Sequence, residues 1–100
     1  MPYIKQKDRD TLNYHIDYLS VAVANSDSPY GEINYSISRM VNNLINNEGM
    51  NYNQLNSLIG VLECAKMEIY RRLAAPYEDK KMEENGDVFT VKREVPYAEA

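Results

Sequence analysis

The sequence has no tryptophan, one phenylalanine, one histidine, one cysteine, four glycines and four prolines in 100 residues. A single thiol, Cys64, excludes an intramolecular disulfide and a structural zinc site built from the cysteines of one chain, and it suits a reducing compartment. The lone His15 stands far from Cys64 in sequence, and neither a glycine-rich phosphate loop nor a metal-ligand spacing accompanies them. The inventory for nucleophilic, acid–base or metal chemistry is therefore thin. No apolar run is long enough for a membrane span, and Met1-Pro2-Tyr3-Ile4 leads into charge without a signal-peptide core. Excess positive charge is also missing. A formal net charge of -4 opposes general nucleic-acid binding, because phosphate contacts need a basic face. The expectation is a cytoplasmic, non-enzymatic protein with no cofactor, no metal and no membrane partner.

What is present is a chain 44% hydrophobic, rich in asparagine and with nine tyrosines. One hundred residues make one domain, and a domain this small buries a modest fraction of its surface. Part of its apolar stripe is expected to be finished against another copy, so a homo-oligomer is anticipated.

Apolar spacing predicts an all-α fold. After an extended lead-in over Met1 to Lys7, Asp8 or Asp10 can cap a helix carrying Leu12, Ile16, Leu19 and Val23 on one face. Turn formers from Asn25 to Gly31 end it. Ile33, Ile37, Met40, Val41, Leu44 and Ile45 mark a second helix, stopped at Asn46-Asn47-Glu48-Gly49. Asn51 caps a third, whose inward face is read as Leu55, Leu58, Ile59, Leu62, Ala65, Ile69 and Leu73. The short connection favours an antiparallel hairpin of helices two and three. Pro76 is expected to kink the third helix, which continues through Tyr77 to Glu84 and closes at Asn85-Gly86. Val88-Phe89-Thr90-Val91 has β-forming residues and reads as a short extended arm, either an edge strand or a partner-binding segment. The domain is placed at 1–89, with a flexible tail at 90–100.

The charged side chains of the third helix attract the functional reading. At about 100° per residue, Lys66 falls inside the apolar sector, where it either pairs with Glu63, snorkels to the rim, or awaits an anionic ligand. Tyr70, Tyr77 and Lys81 follow on nearly the same side if Pro76 deflects the helix little. Such a strip either packs or stacks a ring beside a phosphate. Arg71 and Arg72 point about 100° apart, so they cannot form one clamp in a single chain. Each either pairs with Glu68, Glu78 or Asp79, or completes a neighbouring copy's pocket. Cys64 reads as a small packing residue and His15 as a structural one beside the first helix's stripe.

Three stretches carry a resemblance to a known family: Met1-Pro2-Tyr3-Ile4-Lys5 with Asp8-Arg9; Gly31-Glu32-Ile33-Asn34-Tyr35; and Gly60-Val61-Leu62-Glu63-Cys64-Ala65-Lys66 through Arg71-Arg72, Pro76-Tyr77-Glu78-Asp79-Lys80-Lys81 and Asn85-Gly86-Asp87. Over most of residues 1 to 89 the chain resembles small uncharacterised proteins encoded by tailed phages and bacteria. The resemblance implies an α-helical fold and a phage setting, in which small acidic accessory proteins often block host defence. Viral sponges that sequester cyclic nucleotides, the anti-CBASS proteins, are one such type. The resulting expectation is a helical oligomer that sequesters a small anionic nucleotide, a cyclic dinucleotide in its sharpest form. Its pocket would use Lys66, Tyr70, Arg71, Arg72, Tyr77 and Lys81. The alternative is an adaptor or inhibitor that binds a host or phage protein through its acidic helical surface.

Overall fold

The computed structural model describes residues 2–92 and 94–99. These residues form helices and irregular segments, with no strand among them. Expectations that touch Met1, Arg93 and Ala100, at the lead-in and in the tail, lie outside the described residues. The chain divides into two compact units, one ending at Ala65 and the other beginning at Lys66.

In the first unit, helix α1 spans Gln6–Ala24. It starts ahead of the expected acidic caps: Lys5 holds the cap position without a side-chain bond, and Asp8 lies in the first turn. A carboxylate there still faces the positive end of the helix dipole, so Asp8 favours the start without capping it. The preceding segment folds back, with Arg9 Nε donating to the Ile4 carbonyl at 2.8 Å. The turn after α1 is shorter than expected because Pro29, whose fixed φ and missing amide suit a first helical turn, already begins α2, Pro29–Glu48. Ser26 organises this turn: its hydroxyl donates to the Glu32 carboxylate and accepts from the Ser28 amide. Helix α2 stops at Gly49, whose φ of 88° falls in a region that a side chain disfavours.

Helix α3 spans Tyr52–Ile69. As expected, Asn51 caps it, its Oδ1 accepting from the Gln54 amide at 2.8 Å. The rod then changes pitch in a π segment, Tyr70–Ala74, and resumes as α4, Ala75–Asn85, ending at Gly86 with φ 92°. Pro76 explains the change. In a continuous α-helix its ring would press on the Arg72 carbonyl, which would also lose its amide donor. The wider turn relieves that conflict, with the Ala75 amide reaching back five residues to the Tyr70 carbonyl. The expected interruption at Pro76 thus takes the form of one extra residue in the turn before it. Beyond Gly86 the described residues hold no regular element, and Val88, Phe89 and Val91 are exposed.

Burial departs most from expectation. Among the described residues Val23, at 9% exposure, is the only buried apolar side chain. Ile16 is 51% exposed and Ile59 67% exposed, although both sit on faces read from the sequence as inward. Helices α1 and α2 pack together, and α3 makes no comparably extensive contact with either. Cys64, expected to pack, is likewise exposed. The chain presents 9624 Å² of accessible surface.

The α3 cap gives a direct test of the local reading. Asn51→Ala should destabilise the protein by about 1 kcal/mol, while Asn51→Asp should retain most of the stability. For a chain of this size that corresponds to a fall of about 4–8 °C in the thermal midpoint followed by circular dichroism. An unchanged midpoint in the alanine variant would show that the cap does not support the native state.

Candidate ligand-binding face

All six residues singled out from the sequence lie in the second unit. Lys66 occupies the last turn of α3, Tyr70, Arg71 and Arg72 the π segment, and Tyr77 and Lys81 helix α4. The positions are consecutive along one helical rod, so the local geometry of that rod decides which side chains meet.

The π turn rewrites the helical wheel. In an uninterrupted α-helix a residue seven positions after Tyr70 returns to its side, within about 20°, and that residue is Tyr77. One inserted residue moves everything beyond the turn by about 100°, which brings Glu78 under Tyr70 instead. The Tyr70 hydroxyl accordingly donates to Glu78 Oε2 at 3.1 Å, across the π segment. The single strip Lys66–Tyr70–Tyr77–Lys81 therefore separates into an upper part and a lower part. In the lower part Tyr77 and Lys81, one turn apart, do meet: the Lys81 ammonium lies 5.7 Å from the centre of the Tyr77 ring, within cation–π range.

Acidic neighbours balance these cations. Arg71 forms a forked contact with Glu68, with Nη2 at 3.0 and 3.2 Å from the two carboxylate oxygens and Nε at 3.3 Å. Lys81 bonds Glu84 at 3.2 Å. Lys66 also interacts within the chain. Arg72 is exposed and has no salt bridge among the described residues, consistent with its different bearing from Arg71 on the helix. From Lys66 to Gly86 the five basic residues Lys66, Arg71, Arg72, Lys80 and Lys81 face five acidic ones, Glu68, Glu78, Asp79, Glu83 and Glu84. The face is thus locally neutral. These exposed i,i+3 pairs are each worth a few tenths of a kcal/mol, so an incoming phosphate could displace the carboxylates without large expense.

The recesses of this unit do not gather the six residues. A shallow cavity of about 360 Å³ is lined by Glu78, Asp79, Lys81, Met82 and the segment Gly86–Phe89, and it includes Lys81 alone of the six. Sequence reasoning missed Glu78 as the group that engages Tyr70. Only the combination of Pro76 with a π turn reveals that pairing.

Outside this rod, His15 lies edge-on to Tyr14 with ring centres 5.4 Å apart. No group of three or more His, Cys, Asp and Glu side chains placed to hold a metal occurs among the described residues. No described helix is long and apolar enough to cross a membrane. In comparison with known proteins, the profile of a family described as a domain of unknown function, DUF6899, matches residues 1–88. No curated protein and no solved structure matches the chain.

The Tyr70–Glu78 contact has a titration signature. The phenol's pKa is raised above its ordinary value of 10.0, first because its hydrogen bond to Glu78 favours the neutral hydroxyl and next because the Glu78 charge opposes a phenolate. The contact therefore supports the fold below the ordinary tyrosine pKa, and that support is lost as pH rises through the raised value. In Glu78→Gln, Tyr70 should titrate at lower pH than in wild type, nearer 10.0. Ultraviolet or carbon-13 NMR titration of the tyrosines reads the change, and an unmoved Tyr70 curve would show that the contact does not persist in solution.

Proposed function

We propose that this chain, which belongs to the DUF6899 family, acts by binding and not by catalysis, in an assembly of its own copies. The observation that carries the proposal is the unburied apolar surface of α1, α2 and α3. Isoleucine and leucine rows left in water forgo about 25 cal/mol for every Å² that association would cover. A side chain such as Ile59, 67% exposed on a regular helix, contributes little to the stability of one chain and much to an interface.

The finer form of the proposal is sequestration of a small anionic nucleotide, with a cyclic dinucleotide as the first candidate. The biological setting is a phage accessory protein that lowers a host defence signal in the cytoplasm of an infected bacterium. Two features support it. Lys81 stands over the Tyr77 ring, which combines a charge with a stacking face, and the exposed Arg72 is available to a neighbouring copy. Because the face is neutral within one chain, net attraction for phosphate depends on a second copy contributing cations. In such a site Lys66 and Lys81 would neutralise phosphate, Tyr70 and Tyr77 would stack on bases, and Arg71 or Arg72 would reach in from the partner. No covalent bond changes.

Light scattering at micromolar concentration should return a mass above that of one chain, and a strict monomer would overturn the assembly reading. Titration calorimetry of the wild type against cyclic di- and trinucleotides, with linear nucleotides as controls, tests the ligand. Lys66→Ala and Tyr70→Ala should each weaken binding about tenfold or more while leaving helicity intact, since charge-assisted contacts and base stacking are each worth about 1 to 3 kcal/mol. An oligomer that binds none of these nucleotides, and instead holds a specific host or phage protein, would replace sequestration with the adaptor reading.

A further inference from the structure

Helices α1 and α2 enclose a groove of about 460 Å³ lined by Ile16, Leu19, Val23, Ile33, Ile37 and Met40, with small residues between them and no charged side chain. No residue of α3 lines it, although α3 belongs largely to the same unit. Instead, Val61, Cys64 and Ala65 of α3 share a small recess of about 130 Å³ with Pro2 of the lead-in. A different row of α3, Leu55, Ile59 and Leu62, with successive members within about 60° of each other on the helix, stays exposed.

Charge follows the same division. Residues 33 to 62 contain two of the chain's 26 charges, Arg39 and Glu48, although the chain as a whole is 26% charged. Eight asparagines supply much of the polar surface of this segment, while the groove and the Leu55–Ile59–Leu62 row are apolar and carry no charge, as interface cores do. For a chain of net charge -4, pairing through surfaces that carry almost none of that charge also avoids the repulsion between like copies.

We infer that the occupant of the α1–α2 groove is α3 of a second copy, seated by its Leu55–Ile59–Leu62 row, with the exchange made reciprocally. This deepens the assembly reading above and rests on it. A helix with an apolar row laid into an apolar groove is a recurrent recognition mode. A two-fold arrangement lets each copy give one helix and receive one, so that both exposed features are covered twice. The nucleotide proposal is not required by this interface.

Two single variants and their mixture test the inference on the full chain. Ile59→Asp damages the inserted row, and Ile37→Asp damages the groove. Either change puts an unpaired carboxylate into the contact and should raise the dissociation constant about a hundredfold, seen by light scattering as a shift toward monomer. Ile59→Gln and Ile37→Gln provide milder versions, and circular dichroism checks that helicity is retained. Mixing the two aspartate variants should restore dimer mass in part, because the intact groove of one can receive the intact α3 of the other. If wild type is monomeric, both this inference and the assembly reading fail. If wild type is oligomeric and all four variants keep its mass, the assembly stands and this interface is wrong. If the variants dissociate and mixing restores nothing, like faces pair with like, and the reciprocal exchange is overturned. A different protein retained in place of a second copy would equally overturn it.

Discussion

The contact of water with the apolar faces of three helices is the constraint on which the rest of the structure depends. An amphipathic helix in isolation is marginal, and in proteins it draws most of its stability from packing its apolar face. Here the α1–α2 pair covers Val23 but leaves Ile16 and Ile37 half in water, and α3 keeps Ile59 open. Conformational entropy opposes folding at every ordered residue, so well-formed helices with so little burial need a further source of stabilisation. Under the proposed assembly other copies of the chain are that source, since the same apolar pattern that forms the helices also supplies the complementary surface.

Much of the helical order was legible in the sequence, because ends are governed by local chemistry. Asn51 at the start of α3 and the glycines at 49 and 86 each impose a conformation through their own backbone or side chain, and the structure uses all three as read. Lys5, and not Asp8 or Asp10, holds the cap position of α1; an acidic residue in the first turn and one at the cap look alike in sequence, and Gln6 and Lys7 are compatible with helix. Pro29 was grouped with the turn, although a proline between a serine-rich turn and an apolar period is equally a first helical residue.

Burial was much less legible. Periodicity identifies which residues share a face, but it does not say whether the partner of that face belongs to the same chain. Leu55, Ile59 and Leu62 are on one side of α3 as expected, and the structure leaves that side exposed. The same limit applies to Cys64, whose position on the helix was readable and whose neighbours were not. The candidate site suffered a different failure. A helical wheel assumes a constant angle per residue, and the π turn before Pro76 breaks that assumption at the point where the strip was to continue. Tyr77 and Lys81 remain neighbours because both lie beyond the turn, while Tyr70 exchanges one expected neighbour for Glu78.

The neutral balance of the rod from Lys66 to Gly86 connects this local change to function. If the tyrosines and cations had formed one unbroken strip, a single chain could have offered a positive face. With Glu78 drawn onto Tyr70, and with Glu68 and Glu84 beside Arg71 and Lys81, each of these three prospective ligand contacts must first exchange a carboxylate partner. The exposed pairs are weak enough to be exchanged, but exchange alone gives no net attraction, since the released carboxylate remains beside the incoming phosphate. A second chain could change this balance by bringing Arg72, which is exposed and takes part in no salt bridge among the described residues. Under the proposed function, therefore, association and anion binding are linked only where an arginine of a second chain reaches the bound anion, and there the anion in turn favours the associated state.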